Sequence, residues 1–548
     1  MAFAASGHSG TFRTLVEFLL DATTLRYSDD GVSIQLGKVT GAYYDGRLAT
    51  SGMLVRDLGT FLEAKETIST FDVVLDNQDR AIADLIQKYT FANRQVRIWL
   101  GEGDVKSNFN EVFRGTVAFP NGIRWDEDAA TFTVVDQRVR DRRTLPSADK
   151  KYDDTTYTNI EPKSKNLPIP IIYGNWSSAQ ANGLSVPCAC INTSTLKFKF
   201  ARHGIKSIDR YLKNAARISP SNIASLSLSD ASFTLSGVTY NYTDDIVSVN
   251  CQGIKTINGS LIETPADTLR HLLTGYCALT ADNLEVSAIN AMNIATSTDV
   301  VRRWIGNRDG ESTEKLISEL MSESQSDLRF VRGKYSPKYR SPDIASSRTT
   351  FNEADIIIEE RSEKAEFSVE MDPQRFYANK INARYRFDPI NIRYDGSFVT
   401  SSPAAIANAS ATVERLFDFN WFYDTTLTQY RVLRELITLS TEPVNIVALL
   451  SNRGMLINLA DQIDLTYNVF DSQTVQIRRV ETNLAEMTTR VSGFNLFLTG
   501  VGRWTADSAP KWTDSSLVDK SSQGYWMNVS GYASSVQTSD AYMVSRWY

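Results

Sequence analysis

LTQYRVLRELITLSTEPVNIVALLSNRGMLINLADQIDLTYNVFDSQTVQIRRVETNLAEMTTRVSGFNLFL, residues Leu427 to Leu498, decides the fold. It opens with helical spacing: Leu427, Tyr430, Leu433 and Ile437 recur at threes and fours behind a capping Asp424, and Pro443 forbids continuation. The period then changes to two. Val444, Ile446 and Ala448 alternate with their neighbours, Met455, Ile457 and Leu459 follow a turn at Asn452–Gly454, and Ile463, Leu465 and Tyr467 alternate with Asp464, Thr466 and Asn468. Val475–Arg478 and Gly493–Leu498 add further strands after a turn at Phe470–Ser472. One helix followed by four or five short strands predicts a small barrel or sandwich with the helix plugged against it.

The bulk properties set the limits around this element. A chain of 548 residues exceeds what one core supports, and the 42% hydrophobic share provides material for several. The formal net charge of −6 argues against broad capture of nucleic-acid backbone, which needs a basic surface. No apolar run reaches the roughly 18 residues of a membrane span. Met1–His8 lacks the basic flank of a secretory signal, so synthesis in a cytoplasm is expected. Cys188, Cys190, Cys251 and Cys277 are too few for a disulfide scaffold and read as buried apolar side chains. Their number would suit a four-thiolate metal or iron–sulfur site, but Cys188-Ala-Cys190 has the wrong gap and no matching second pair.

Residues 11 to 145 read as strand-rich, with Phe71, Val73 and Leu75 on one face of a strand and Ile82, Leu85, Ile86 and Tyr89 on a short helix. The pieces Phe71-Asp-Val-Val-Leu-Asp-Asn77, Val96-Arg-Ile-Trp-Leu-Gly101, Val112-Phe-Arg-Gly-Thr-Val117, Thr131-Phe-Thr-Val-Val-Asp136 and Leu145-Pro146 follow in order. This series resembles the amino-terminal domain of the baseplate-hub (tail-tip) proteins of long-flexible-tailed bacteriophages and related gene-transfer particles. Asn166-Leu-Pro-Ile-Pro-Ile-Ile-Tyr-Gly174 is similar to that family's crossing into its second domain, and Asn420–Asp424 and Asn458–Thr466 to its later domain. The likeness runs in order over residues 12 to 530.

The remaining segments complete the plan. Residues 149–165 read as a polar linker, and 166–350 as a middle α+β domain. In the latter, Thr264 and Pro265 start one helix and Ser312 to Met321 forms another, with a loop expected over 336–350. Residues 1–148 and 351–500 are the flanking hub domains, so the fold class is mainly β with α insertions: two tube-like barrels or sandwiches around a mixed middle. The strand Asn379–Phe387 carries Lys380, Arg384 and Arg386 on one face, a solvated face or a charged wall at a contact. Residues 501–548 form an extension rich in aromatic, Ser and Gly residues. There Trp504, Trp512, Tyr525, Trp526, Tyr532, Trp547 and Tyr548 suit interface anchors, or pack back on their own domain.

No catalytic, cofactor-binding or metal-binding residue is assigned. Asp153/Asp154, Asp244/Asp245 and Glu359/Glu360 are adjacent in sequence, and neighbours on a strand point opposite ways, which disfavours a cell-wall hydrolase. His8, His203 and His271 are too scattered for a metal site, and no nucleophile elbow is present. An adhesin or receptor-binding protein is the alternative, carried by the aromatic extension, though no repeat of 20 to 50 residues supports it. The resemblance implies a homotrimeric structural hub at the virion tail tip that closes the tail tube. It would join the distal tail ring and tape-measure protein to a central fibre, and let DNA pass without sequence-specific binding. Residues 150–165 are its expected hinge.

Overall fold

The computed structural model describes residues 12–495 except 37–40, 60–65, 67–69, 137, 139–141, 181–182, 341–347, 360–363, 372–376, 441–443, 468–469 and 485. It is mainly β with helices inserted, and two large curved sheets dominate it. The first is antiparallel and nearly closes into a barrel, in the order Thr24–Ser28, Phe12–Leu19, Gln95–Glu102, Phe109–Val117, Ala129–Asp136, Thr70–Asp76, Leu48–Ser51. Alternation builds it: Phe71, Val73 and Leu75 face inward with Val96, Ile98, Leu100 and Phe132, as a half-buried strand dictates. The helix Ala81–Lys88 contributes Ile82 to this core. On the opposite face, the hairpin of Val32–Gln35 and Gly41–Tyr44 lays Ile34 and Tyr44 over Leu15 and Phe109.

The second sheet is a half-barrel of Thr349–Phe351, Gln462–Tyr467, Phe470–Asn483, Thr488–Asn495, Val444–Leu450 and Phe367–Met371. Its core holds Ile446, Ala448, Ile463, Leu465, Val475 and Ile477. The predicted alternation over 444–450 is present, but over 463–467 Asp464 is buried along with Ile463 and Leu465, and Asn452–Leu456 is a 3-10 turn, with Met455, Ile457 and Leu459 buried outside any strand.

The middle of the chain forms two four-stranded sheets that share a core of Trp176, Phe198, Phe233 and Val249. A helical layer of Pro265–His271, Val286–Ala295 and Thr313–Glu323 adjoins them. A three-stranded sheet orders Arg393–Ser401, Lys380–Asp388 and Glu414–Asp418. Thr264 caps the first helix by accepting from Asp267 N–H at 3.2 Å, as the sequence predicts, and Ser312, expected as the first residue of its helix, instead caps the third through Lys315 N–H at 3.1 Å.

Three expectations change. The helix Thr425–Ser440, capped by Asp424 Oδ1 on Leu427 N–H at 2.8 Å, does not plug the half-barrel. Val432, Leu436 and Leu439 join Leu269, Leu316, Leu320 and Ile381 in the core of the middle region. Its buried face is rotated one position from the apolar stripe, because Arg431 and Glu435 turn inward to polar partners there. The polar stretch 149–165 is packed down: Tyr152 is buried with its hydroxyl donating to Lys199 O at 3.0 Å, and Glu161 is wholly buried and accepts from Cys190 N–H at 3.0 Å. Finally, Lys334–Tyr339 is a strand through Pro337, tolerated because it has one strand partner, Ser326–Val331, and its other edge is bridged at Tyr335 and not at Pro337.

Candidate functional site: the junction of the two sheets

One short run of chain belongs to both large sheets. Leu48–Ser51 pairs with Thr70–Asp76 in the near-barrel (Leu48 opposite Leu75, Ser51 opposite Val73). One residue later, Met53–Asp57 pairs antiparallel with the half-barrel, Met53 opposite Asn483 through Asp57 opposite Arg479. The long strand Phe470–Asn483 needs this neighbour, since Gln462–Tyr467 covers it only as far as Gln476. Leu58 N–H extends the seam to Arg478 O at 2.9 Å. The exchange runs both ways: Leu484 and Met455 of the half-barrel segment are 2% exposed and sit in the near-barrel core with Phe18 and Val73.

Charge is buried along this seam. The Arg478 guanidinium meets Asp327 at 2.9 Å, with side-chain exposures of 3% and 0%, and also donates to Leu58 O at 3.1 Å. Arg56 donates to Ile457 O at 2.9 Å, with burial holding its pKa below the usual guanidinium value. Arg138 pairs with Asp136 and lies 3.5 Å from Glu66, whose carboxylate accepts from Phe330 N–H at 2.6 Å. Burial raises the Glu66 pKa against the pull of Arg138 and Arg56. Arg329 reaches Leu459 O at 2.8 Å and Asp461 at 2.9 Å, where Lys338 also binds at 3.2 Å. Near-barrel, middle region and half-barrel each contribute to these pairs. Parting the half-barrel from the middle region breaks the Arg478–Asp327 and Arg329–Asp461 pairs, so the arrangement favours one rigid docking geometry there.

A second buried polar set ties the helix Thr425–Ser440 to the middle region. Arg431 pairs with Asp299 and donates to Gln325 Oε1 at 2.6 Å, and Gln325 Nε2 donates to Glu435 at 3.0 Å. Glu323 accepts from the backbone N–H groups of Asn420 and Trp421 at 2.8 Å and of Phe422 at 3.2 Å. Burial and the charge of Glu319 push its pKa up to about 8 against the pull of those donors.

The seven tail aromatics, Trp504 to Tyr548, lie outside the described residues, as does Glu360. Asp153 is held down to about 2 by local hydrogen bonds that close a turn, Asp245 likewise by Asn241 N–H together with Lys213 at 2.9 Å, and Asp154 pairs with Lys165 at 2.5 Å. Cys188, Cys190 and Cys251 share one apolar core that excludes Cys277, and burial pushes the Cys190 and Cys251 thiols up to about 12. Among the described residues, no three His, Cys, Asp or Glu side chains are placed to hold one metal ion. His203 Nε2 accepts from Ile172 N–H at 2.9 Å, and His271 meets the Tyr173 hydroxyl at 2.8 Å. Lys380, Arg384 and Arg386 are paired with Glu414, Asp418 and Asp395 at 2.7, 2.6 and 3.3 Å. The junction carried one sequence signal: Ile477 and Val480 are both buried, so the intervening Arg478-Arg479 breaks period two and marks the register shift found there.

No family model and no curated protein matches the chain. Among solved structures, it is similar to the 43 kDa tail protein of prophage MuSo2 from Shewanella oneidensis, at 10% identity over 86% of this chain and 100% of that one, TM-score 0.38. A tail protein from Neisseria meningitidis MC58 aligns at 9% identity over 88% and 96%, TM-score 0.40. A chain of a native gene transfer agent virion aligns at 12% identity over 65% and 91%, TM-score 0.43.

Proposed function

We propose that the chain is a structural hub of a phage-type tail tip. It forms a homotrimer that closes the tail tube, joins the distal tail ring and tape-measure protein to a central fibre, and lines part of the DNA exit path. The reading begins from the ordered series of hub-like segments, four of which are the strands Thr70–Asp76, Gln95–Glu102, Phe109–Val117 and Ala129–Asp136 of one sheet. The observation that carries it is the run Leu48–Asp57, which is woven into both large sheets. A part that closes a tube under load has to hold its tube-forming units at a fixed angle, and a shared strand with buried ion pairs does so. Three chains with two curved sheets apiece supply six β units to a sixfold ring. The sheets differ in strand order, so their equivalence would lie in curvature and outline rather than connection. With a net charge of −6 on each chain, a trimer would let DNA slide without adhering.

Electron microscopy of the assembled particle tests this reading. Three copies at the tail extremity, each placing both sheets around the tube axis, is the expected image. A monomer elsewhere in the particle, or outside it, would end the proposal.

A further inference from the structure

We propose that Glu17, Tyr44 and Trp99 form a binding site for a primary alkylammonium, kept filled by the chain's own Lys106, and that its occupancy latches the hairpin Val32–Tyr44 onto the near-barrel. The three side chains come from the strands Phe12–Leu19, Gly41–Tyr44 and Gln95–Glu102. They position one another without the lysine: Trp99 Nε1–H donates to Glu17 Oε2 at 3.0 Å, and the Tyr44 hydroxyl donates to Glu17 Oε1. Burial opposes ionisation of Glu17, yet the hydrogen bonds from Tyr44, Lys106 and Trp99 and the charge of Lys106 leave its pKa below the ordinary carboxylate value. A carboxylate between two aromatic rings is a seat that a cation fits and an anion does not.

Lys106 enters this frame from the loop 103–108, which joins Gln95–Glu102 to Phe109–Val117. Its ammonium donates to Glu17 Oε1 at 3.1 Å and to the Tyr44 hydroxyl at 2.9 Å. It lies 4.0 Å from the centre of the Trp99 ring and 5.2 Å from that of Tyr44. Two N–H groups meet oxygen acceptors while the charge meets an aromatic face, so the seat selects a nitrogen that keeps its protons. The Lys106 side chain is 16% exposed, so the recess reaches the surface. Arg26 stands beside it, with Nε 3.9 Å from Glu17 Oε1, beyond hydrogen-bond reach. The same ammonium ties down the hairpin, because Tyr44 is wholly buried and packs with Ile34 over Leu15 and Phe109. Backbone bonds flank this latch, from Gln35 N–H to Asp104 O at 2.7 Å and from Asp45 N–H to Arg26 O at 3.0 Å.

The test uses the full chain with Lys106→Gly and n-butylammonium, which has the carbon count of the deleted side chain. Hydrogen exchange at Val32–Gln35 and Gly41–Tyr44 is expected to quicken by about tenfold in the variant, and to slow again as the amine is added. Saturation-transfer NMR of the amine should show saturable binding to the variant. Binding to the native chain should be at least about tenfold weaker, because its tethered lysine competes at high effective concentration. Tetramethylammonium keeps the charge but has no N–H, and should bind the variant about tenfold more weakly than butylammonium. Lys106→Met leaves a side chain of similar length in the recess, so butylammonium should neither bind it nor slow its hairpin exchange. The proposal is overturned by no saturable binding to Lys106→Gly, by equal binding to the native chain or to Lys106→Met, or by hairpin exchange that the amine does not slow. Should Lys106→Gly not fold, the native chain decides. Labelled with 15N-lysine, it is expected to show one slowly exchanging ammonium signal, shifted upfield by the Trp99 ring and lost in Lys106→Met. A Lys106 ammonium in fast exchange with water would mean that the seat is empty in solution, and would overturn the proposal equally.

Discussion

Asp327 and Arg478 show how much the junction rests on single side chains. Both are essentially excluded from water. Deleting the carboxylate takes away the charge partner that the buried Arg478 guanidinium holds at 2.9 Å, so Asp327→Ala is expected to cost roughly 3–5 kcal/mol in urea denaturation. Combining it with Arg478→Met should restore most of that loss, because an apolar pair of similar volume needs no solvation. If the double variant is as unstable as the two singles combined, the pair is not coupled and the junction argument fails. His203 offers a pH signature. Its Nε2 accepts from Ile172 N–H while Nδ1 faces Gly204 O, so a proton on Nε2 would displace a backbone donor. Burial holds its pKa down to about 4, against 6.5 for an unburied histidine. Between those values the unfolded chain binds a proton that the folded chain refuses, so stability falls as pH drops from about 6.5 to about 4. Replacing it by glutamine should flatten that part of the profile; identical pH profiles for both proteins would refute the assignment.

At the level of elements, periodicity was legible wherever a strand or helix buries one face against its own sheet or layer. Phe71, Val73 and Leu75 point inward as their alternation says, and Leu316, Ile317, Leu320 and Met321 line the buried side of their helix. It misled where a distant segment supplies the partner. Arg431 and Glu435 look like solvent-facing positions until Asp299 and Gln325, more than a hundred residues away, come into contact with them. Met53–Asp57 is a short alternating run that would suit either sheet; nothing in five residues says that its neighbour is Arg479–Asn483. The aromatic candidates for a contact surface lie outside the described residues, so their reading remains a proposal. The shared strand can be tested alone. Leu54 belongs to the seam strand but is buried in the near-barrel core with Phe18 and Val96, so Leu54→Lys should raise hydrogen exchange in Met53–Asp57 and Arg479–Asn483 as well as in Phe12–Leu19 and Gln95–Glu102, while Gln462–Tyr467 keeps its protection. Loss confined to the near-barrel, with Arg479–Asn483 still protected, would mean that the strand serves that barrel alone and is not a link.

The whole molecule is where these links acquire a mechanical meaning. Two sheets joined by a flexible tether would melt independently, each on its own core. Here Leu54 and Leu58 are buried at the junction while Leu484 and Met455 fill the near-barrel, so neither sheet is complete without residues from the other end of the chain. The buried Arg478–Asp327 pair adds a penalty to lifting the half-barrel off the middle region, and Glu66, paired with Arg138, holds that region's Phe330 N–H at 2.6 Å. Scanning calorimetry of the intact protein is therefore expected to give one transition for the two large sheets, although they lie hundreds of residues apart in sequence. Leu54→Lys should split that transition in two, with the near-barrel component resembling that of an isolated unit missing its borrowed side chains. Two resolved transitions in the unaltered protein would show that the sheets are tethered rather than fused, and a tube-closing role built on rigidity would lose its physical basis.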